Sequence, residues 1–212
     1  MPAEAASRAD HLVYETPDLN VGVAAIEKLL GVRATPGGQH PGAGTRNALV
    51  ALGPATYLEI IGPDPDQPAP KGPRRFGIDN VETPRLVGWA AREANLEGLA
   101  AAAAKNGVTL EDIGSGSRKR PDGVLLSWRV TSPATDLGGG LVPFFIDWGK
   151  SPHPALTAAP GARLIGLRGE HPQPERVSKM LHALGLDMPV KSAPAAALIA
   201  TIDCPKGRVE LR

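Results

Sequence analysis

The chain alternates between short apolar runs with the two-residue period of β-strands and longer stretches spaced like amphipathic helices. In the first group, residues 11–15 predict a strand. A helix follows from Asp18, a residue suited to a helix N-cap, to Gly31, which suits a helix C-terminus. A breaker-rich loop through residues 37–44 then leads to a hairpin over residues 47–61. The order is therefore strand, helix, loop and hairpin.

The same order recurs twice further along the chain, which indicates three copies of one supersecondary unit. The second unit has a strand at 86–91, a helix capped by Asn95, and later strands at 125–130 and 142–148. The third is shorter, with a strand at 164–167, a helix at 174–184 and a hairpin at 197–211. Helices alternating with mixed strands predict α/β or α+β layering, with the helices on the outer face of the sheet.

Turn-rich stretches separate the units and suggest the domain organisation. We expect a first module at residues 8–64, a connector or lid at 65–84 and a second module at 85–155. We expect residues 161–212 to form a partial third module packed on the same body, a cap that adds strands and a helix to the existing layers. Its first strand carries no ionisable residue where the first unit has His11.

Charge and cysteine content exclude several classes of function. The 212 residues include 23 basic and 22 acidic side chains, so the net charge of +1 gives no sign of a nucleic-acid or membrane surface. The one basic cluster, residues 118–120, lies between turn residues and predicts a solvated loop. The single cysteine, Cys204, excludes an intrachain disulfide framework and a multi-cysteine zinc site. Residues 1–10 lack an apolar signal core, so we expect a cytoplasmic location.

Several short motifs, in this order and spacing, resemble a known superfamily. They are a strand beginning Asp10-His11, a helix after Pro17-Asp18-Leu19 and a hairpin ending Tyr57-Leu58-Glu59-Ile60-Ile61-Gly62. Together they resemble the βαβββ module of the vicinal oxygen chelate (glyoxalase, bleomycin-resistance and dioxygenase) superfamily. The stretch 40–47, the run 146–149 and His153-Pro154 are similar to its glyoxalase-like domain branch.

The resemblance covers residues 8–155 well and the third unit weakly. It implies an α+β fold in which paired βαβββ modules form a cupped, barrel-like mixed sheet. Helices lie outside this sheet, and a shorter third βαββ-like unit is added to it. In that superfamily a divalent metal, where present, lies inside the cup.

His11 and Glu59 match the metal-ligand positions of the first module. Strand alternation also places each of them on a face with apolar neighbours, where an ionisable group needs a partner, a ligand or a wet cavity. The resemblance implies a divalent metal (Zn, Mn, Fe or Ni) on His11 and Glu59. Asp147, one residue off the register of Glu59, is the candidate third ligand, and His40 in its loop is a further candidate. Gly88 and Ile165 stand at the equivalent positions of the other units and offer no side-chain ligand, whereas zinc and iron usually have three protein ligands. The open alternative is that His11 and Glu59 form a hydrogen bond with each other or lie at a solvated strand end.

Four further residues are candidates for substrate binding. His40 lies in a glycine- and proline-rich loop, with Arg46 and Asn47 following it, and loops on rigid scaffolds often carry binding groups. Arg46 offers a planar donor fork for a carboxylate or phosphate, and Asn47 offers both a donor and an acceptor. Trp148 follows Asp147 and is a candidate pocket wall.

Two functions fit these residues. The first is an enzyme of lyase, isomerase or dioxygenase type acting on a small oxygenated molecule, with Glu59 as metal ligand or base and His11 as metal ligand. The second is a metal-free small-molecule binding or sequestration protein of the bleomycin-resistance type. Either requires a small-molecule ligand and no nucleic-acid or membrane partner, and a homodimer stays open. The same fold supports both functions.

Overall fold

The computed structural model describes residues 3–110, 112–131 and 138–212. Its strands are β1 (Ala3–Glu4), β2 (Ala9–Glu15), β3 (Thr35–His40), β4 (Thr45–Gly53), β5 (Thr56–Pro63), β6 (Arg85–Arg92), β7 (Ile113–Lys119), β8 (Leu125–Thr131), β9 (Phe144–Asp147), β10 (Arg163–His171), β11 (Leu186–Asp187), β12 (Val190–Ser192), β13 (Ala197–Cys204) and β14 (Gly207–Leu211). Its helices are α1 (Ala5–Arg8), α2 (Leu19–Leu30), α3 (Leu96–Lys105) and α4 (Pro174–Ala183), and short 3₁₀ segments span Arg75–Asn80 and Pro154–Leu156.

The central feature is an eight-stranded mixed sheet with the order β3-β4-β5-β2-β6-β9-β8-β7. Its two edge strands meet, because the Arg118 guanidinium of β7 donates to the carbonyl oxygen of Gly37 in β3. At the same junction the backbones approach so closely that a Cβ on Gly38 would lie 2.6 Å from the carbonyl oxygen of Lys119. The sheet is therefore nearly closed and barrel-like, which confirms the predicted α+β fold class.

The two faces of the sheet bury different sets of residues. On the concave face Val13 packs with apolar side chains from neighbouring strands, namely Ile61, Ala90, Val130, Phe144 and Ile146. On the convex face Leu12 and Trp89 join a larger core with α2 and α3. Helix α2 forms as its capping residues predict: the Asp18 carboxylate accepts hydrogen bonds from two backbone N–H groups, and Gly31 ends the helix at φ 74°.

The third unit forms a sheet of its own, with the order β12-β10-β13-β14, and does not extend the eight-stranded sheet. It still shares the main core, because Leu167, Leu181 and Ile202 are buried in the same cluster as Leu12 and Trp89. Its strands therefore add a layer across the convex face. The predicted module boundaries stay predictions.

Parts of the two segments predicted to be loops, residues 37–40 and 118–119, lie in strands. Residues 35–40 form β3 despite Pro36 and two glycines, because β3 is a sheet edge with a register shift between Pro36 and Gly38, where proline is tolerated. Residues 113–119 form β7 by pairing antiparallel with β8. The expectation of a solvated loop at 118–120 is wrong for Arg118, which is only 2% exposed. In the part of the chain that the structure describes, no helix is long and apolar enough to cross a bilayer.

Candidate functional site

A cavity of about 550 Å³ lies on the concave face of the barrel-like sheet. A volume of this size suits a small organic molecule. Its walls come from the predicted first module, the predicted second module and the connector of one chain. The main lining side chains are His11, His40, Tyr57, Glu59, Arg75, Phe76, Arg118, Trp128, Phe144 and Trp148.

Strand register explains how two of these residues meet. Strands β2 and β5 pair in parallel, with His11 beside Tyr57 and Val13 beside Glu59. Because alternate residues share a face, His11 and Glu59 both point into the cup. The Nε2 atom of His11 lies 3.8 Å from Oε2 of Glu59, and both residues are buried.

Asp10 orients His11 from behind. Its fully buried carboxylate lies 2.8 Å from His11 Nδ1 and 3.1 Å from His153 Nε2, and it accepts a hydrogen bond from Trp148 Nε1. Burial by itself raises the pKa of Asp10, but the hydrogen bonds and charges of His11 and His153 outweigh burial and lower the pKa below its usual range. The ionised Asp10 therefore holds Nδ1–H of His11 and leaves Nε2 facing Glu59.

A second imidazole approaches Glu59 from the other side. His40 Nε2 lies 3.6 Å from Glu59 Oε1, and its Nδ1 lies 2.9 Å from Thr45 Oγ1. The side-chain amide of Asn47 donates to Glu59 Oε1 at 2.5 Å and lies 3.2 Å from His40 Nε2. Burial lowers the pKa of His40, against the opposing charge of Glu59. His40 is therefore held neutral beside a hydrogen-bonded carboxylate.

The Tyr57 ring stacks on the His11 ring with centroids 4.8 Å apart. Burial, together with the nearby charges of Glu59 and Asp10, raises the pKa of Tyr57 well above its ordinary value. The phenol is therefore neutral at physiological pH and limits the rotation of His11.

Positive charge surrounds the single carboxylate of the cavity wall. Among the described residues Glu59 is the only acidic one that lines the cavity, whereas Lys71, Arg74, Arg75 and Arg118 also line it. Arg74 is paired with Asp79. Among the described residues, no acidic side chain forms an ion pair with Lys71, Arg75 or Arg118. The cavity wall therefore carries an excess of positive charge.

Two of the residues predicted for the site lie elsewhere. Arg46 points away from Asn47, because neighbours in a strand face opposite sides, and it approaches Asp64 and Asp66 on the outside. Asp147 likewise points away from the cavity that Trp148 lines, and its carboxylate accepts a hydrogen bond from the backbone of Gly149. The structure thus brings together His11, Glu59, His40, Asn47 and Trp148, without Arg46 or Asp147.

The donor set does not fit a metal held by three protein side chains. Among the described residues no group of three His, Cys, Asp or Glu side chains is arranged to hold a metal ion. The amide nitrogen of Asn47 also lies within hydrogen-bond distance of Glu59 Oε1 and His40 Nε2. Its N–H groups occupy the lone pairs of these two atoms that a metal cation would need. His11 Nε2 and Glu59 Oε2 remain as a two-donor pair.

Asp10, Tyr57 and Arg118 are among the residues of the cavity network that lie outside the predicted site. Asp10 directly precedes His11, and neighbours in a strand face opposite sides. Strand alternation therefore does not predict the contact between the Asp10 carboxylate and Nδ1 of His11. Tyr57 shares a strand face with Glu59, which is a signal that strand alternation carries. Arg118 sits in a segment rich in glycine, serine and charge, and its composition predicts exposure.

The chain matches one protein family by sequence and several solved structures by fold. The family model for the glyoxalase-like domain matches residues 9–185. A search of curated proteins finds no match. A hypothetical protein from Staphylococcus aureus is similar in structure, with a TM-score of 0.64 and 12% identity over 89% of this chain and 86% of its own. Methylmalonyl-CoA epimerase from Mycobacterium tuberculosis gives a TM-score of 0.44 and 17% identity over 70% of this chain and 93% of its own.

Proposed function

Because the chain belongs to the glyoxalase-like domain family, as the match over most of its length shows, we propose that it binds a small oxygenated molecule in the cup and moves a proton on it. The observation that carries the proposal is the position of Glu59 between two imidazole Nε2 atoms, at 3.6 and 3.8 Å, on the wall of the cavity. A carboxylate held there is a general base within reach of a bound substrate.

The roles follow from the contacts of each residue. Glu59 takes a proton from a carbon next to a carbonyl group. Asn47 holds Oε1 of Glu59 through its amide, which leaves Oε2 toward His11. His11, fixed through Nδ1 by Asp10, accepts or returns a proton at Nε2. This is chemistry of the lyase or isomerase type, in which the developing charge falls on the substrate oxygen.

Proton exchange with solvent tests the proposal. A panel of small 2-oxo and 2-hydroxy compounds is incubated with the protein in D₂O, and NMR follows deuterium incorporation beside the carbonyl carbon. We expect the wild type to catalyse exchange for at least one compound and Glu59→Gln to lose about 10²–10⁴-fold of the rate. Glu27→Gln, on the exposed face of α2, is the matched control and should keep full activity.

Binding is measured on the same variants, with folding checked by circular dichroism. We expect Glu59→Gln and His11→Ala to stay folded while exchange is lost. If the wild type binds a compound and exchanges no proton, the protein is a sequestration protein of the bleomycin-resistance type. If Glu59→Gln exchanges as fast as the wild type, the proposed role of Glu59 is refuted.

A divalent metal (Zn, Mn, Fe or Ni) on His11 and Glu59 is the second candidate. One observation favours it: a carboxylate behind a histidine, as Asp10 is behind His11, is the usual support of a metal-bound imidazole. Against it stands the lack of a third side-chain ligand among the described residues. Metal analysis of protein purified without a chelator or a metal-affinity tag separates the two candidates. Stoichiometric metal that is lost in both His11→Ala and Glu59→Gln would establish the metal site.

A further inference from the structure

Arg118 is a buried cation whose bonding is incomplete. The residue is 2% exposed and lies on the cavity wall. Its Nη1 atom donates to the carbonyl oxygen of Gly37, whereas its Nη2 atom is buried without a hydrogen-bond partner among the described residues. An arginine is charged at any physiological pH, and a buried charged donor left unpaired is costly.

The surrounding charges do not supply the missing partner. Within the described ranges Glu59 is the one carboxylate on the cavity wall, and it is already bonded to Asn47 and flanked by two imidazoles. The connector contributes Lys71 and Arg75, both exposed at the cavity mouth. A cavity lined with charges of one sign concentrates ligands of the opposite sign, since low-dielectric walls focus the field.

We propose that the molecule taken into the cup is a carboxylic acid, with its carboxylate held by the guanidinium of Arg118 and drawn in by Lys71 and Arg75. The guanidinium is a planar donor suited to a carboxylate. This inference rests on the proposed function, in that it names the substrate class of the same cavity. Arg118 thus takes the anchoring role that the sequence predicted for Arg46.

The aromatic walls indicate the rest of the ligand. Trp128, Trp148, Phe144 and Tyr57 line the cavity beside the charged groups. With its carboxylate at Arg118, the ligand would place an apolar or aromatic body against these rings. The carbon next to its carboxyl group would then lie in the region of Glu59. Compounds such as mandelate, an aromatic 2-hydroxy acid, have this shape.

The experiment compares carboxylic acids with their uncharged primary amides. Matched acid–amide pairs of three to ten carbons, mandelate and mandelamide among them, are titrated by calorimetry and by ligand-observed NMR. We expect the wild type to bind at least one acid about tenfold or more tightly than its amide. Arg118→Gln should weaken binding of the acid at least about tenfold while changing binding of the amide by less than about threefold.

Two further variants keep the result interpretable. Arg118→Gln also removes the contact with Gly37 that joins the sheet edges, so Arg75→Gln, at an exposed position, supplies an independent test and should weaken acid binding in the same direction. Arg129→Gln is the matched control: it lies on the adjacent strand β8, is exposed, and pairs with Glu97 outside the cavity. We expect it to bind acids as the wild type does.

The outcomes separate this inference from the proposed function. Binding of no acid, equal affinity for acids and amides, or equal loss of both in Arg118→Gln overturns the inference. An acid that binds the wild type and Glu59→Gln alike, with no deuterium exchange in either, overturns the proposed proton transfer and leaves the carboxylate assignment standing.

Discussion

Gly37 lets Asn47 reach Glu59, and this contact gives the sharpest test of the site geometry. A Cβ on Gly37 would lie 2.1 Å from Oδ1 of Asn47, far inside any normal contact. The backbone of Gly37 has no positive φ, so alanine is excluded there by the Asn47 side chain and not by backbone strain. Gly37→Ala must therefore push Asn47 away from Glu59.

The magnitudes follow from the hydrogen bond that is lost. A hydrogen bond to a charged group contributes about 1.5–3 kcal/mol, so Asn47→Ala should lower the free energy of unfolding by that amount. Gly37→Ala should lose the same bond and add about 1–3 kcal/mol of overpacking. Once Asn47 is alanine, the 2.1 Å contact is gone, and the new methyl group meets Leu49 Cγ at 3.2 Å, a contact that a small shift of the leucine side chain relieves. The double variant should therefore cost only about as much as Asn47→Ala, with a coupling energy of about 2 kcal/mol.

Urea denaturation of the wild type and three variants measures this cycle. Gly114→Ala is the matched control, because it lies in strand β7, has no positive φ, and has no described atom within 4 Å of the position that a methyl group would take. It should be neutral or slightly stabilising. Wild-type stability in Gly37→Ala, or additive losses in the double variant, would refute the reasoning.

Three further predictions concern ionisation and the third unit. The pKa of Asp10 is lowered in the folded protein, so its charge stabilises the fold above the ordinary carboxyl pKa of about 4, and that contribution is lost as the pH falls. Urea denaturation across a pH series should therefore show that the free energy of unfolding of Asp10→Asn depends less on acid pH than that of the wild type. An equal pH dependence in the two proteins would contradict this. Burial raises the pKa of both Tyr14 and Tyr57, so a pH titration followed by absorbance at about 295 nm should show both phenols ionising at higher pH in the folded protein than in urea. Superimposable titration curves would contradict this. Deleting residues 161–212 should expose apolar core surface, raise binding of a hydrophobic dye and cause aggregation; a soluble, equally stable remainder would show that the third unit is an independent appendage.

Elements whose local signals agree with their packing are predictable from the amino-acid pattern alone. The strand at 11–15 has apolar residues on both faces, and the helix that follows has Asp18 and Gly31 at its ends. The hairpin over β4 and β5 carries strong β-formers. The order and spacing of these elements carry the resemblance that implies the glyoxalase-like fold and the joint position of His11 and Glu59. Strand alternation, a local property, adds only which neighbours share a face with each of them.

Other features depend on contacts between distant strands, which the local pattern does not encode. Strands β3 and β7 have few strand-forming residues, and they are ordered by pairing and by closure of the sheet edges. That closure buries Arg118, whose neighbours in the chain all suggest exposure. The face of Arg46 and of Asp147 depended on strand register, and a shift of one residue turns a side chain from the cavity to the outside. Sequence spacing fixed which residues were near the site, and the register of distant strands fixed which of them enter it.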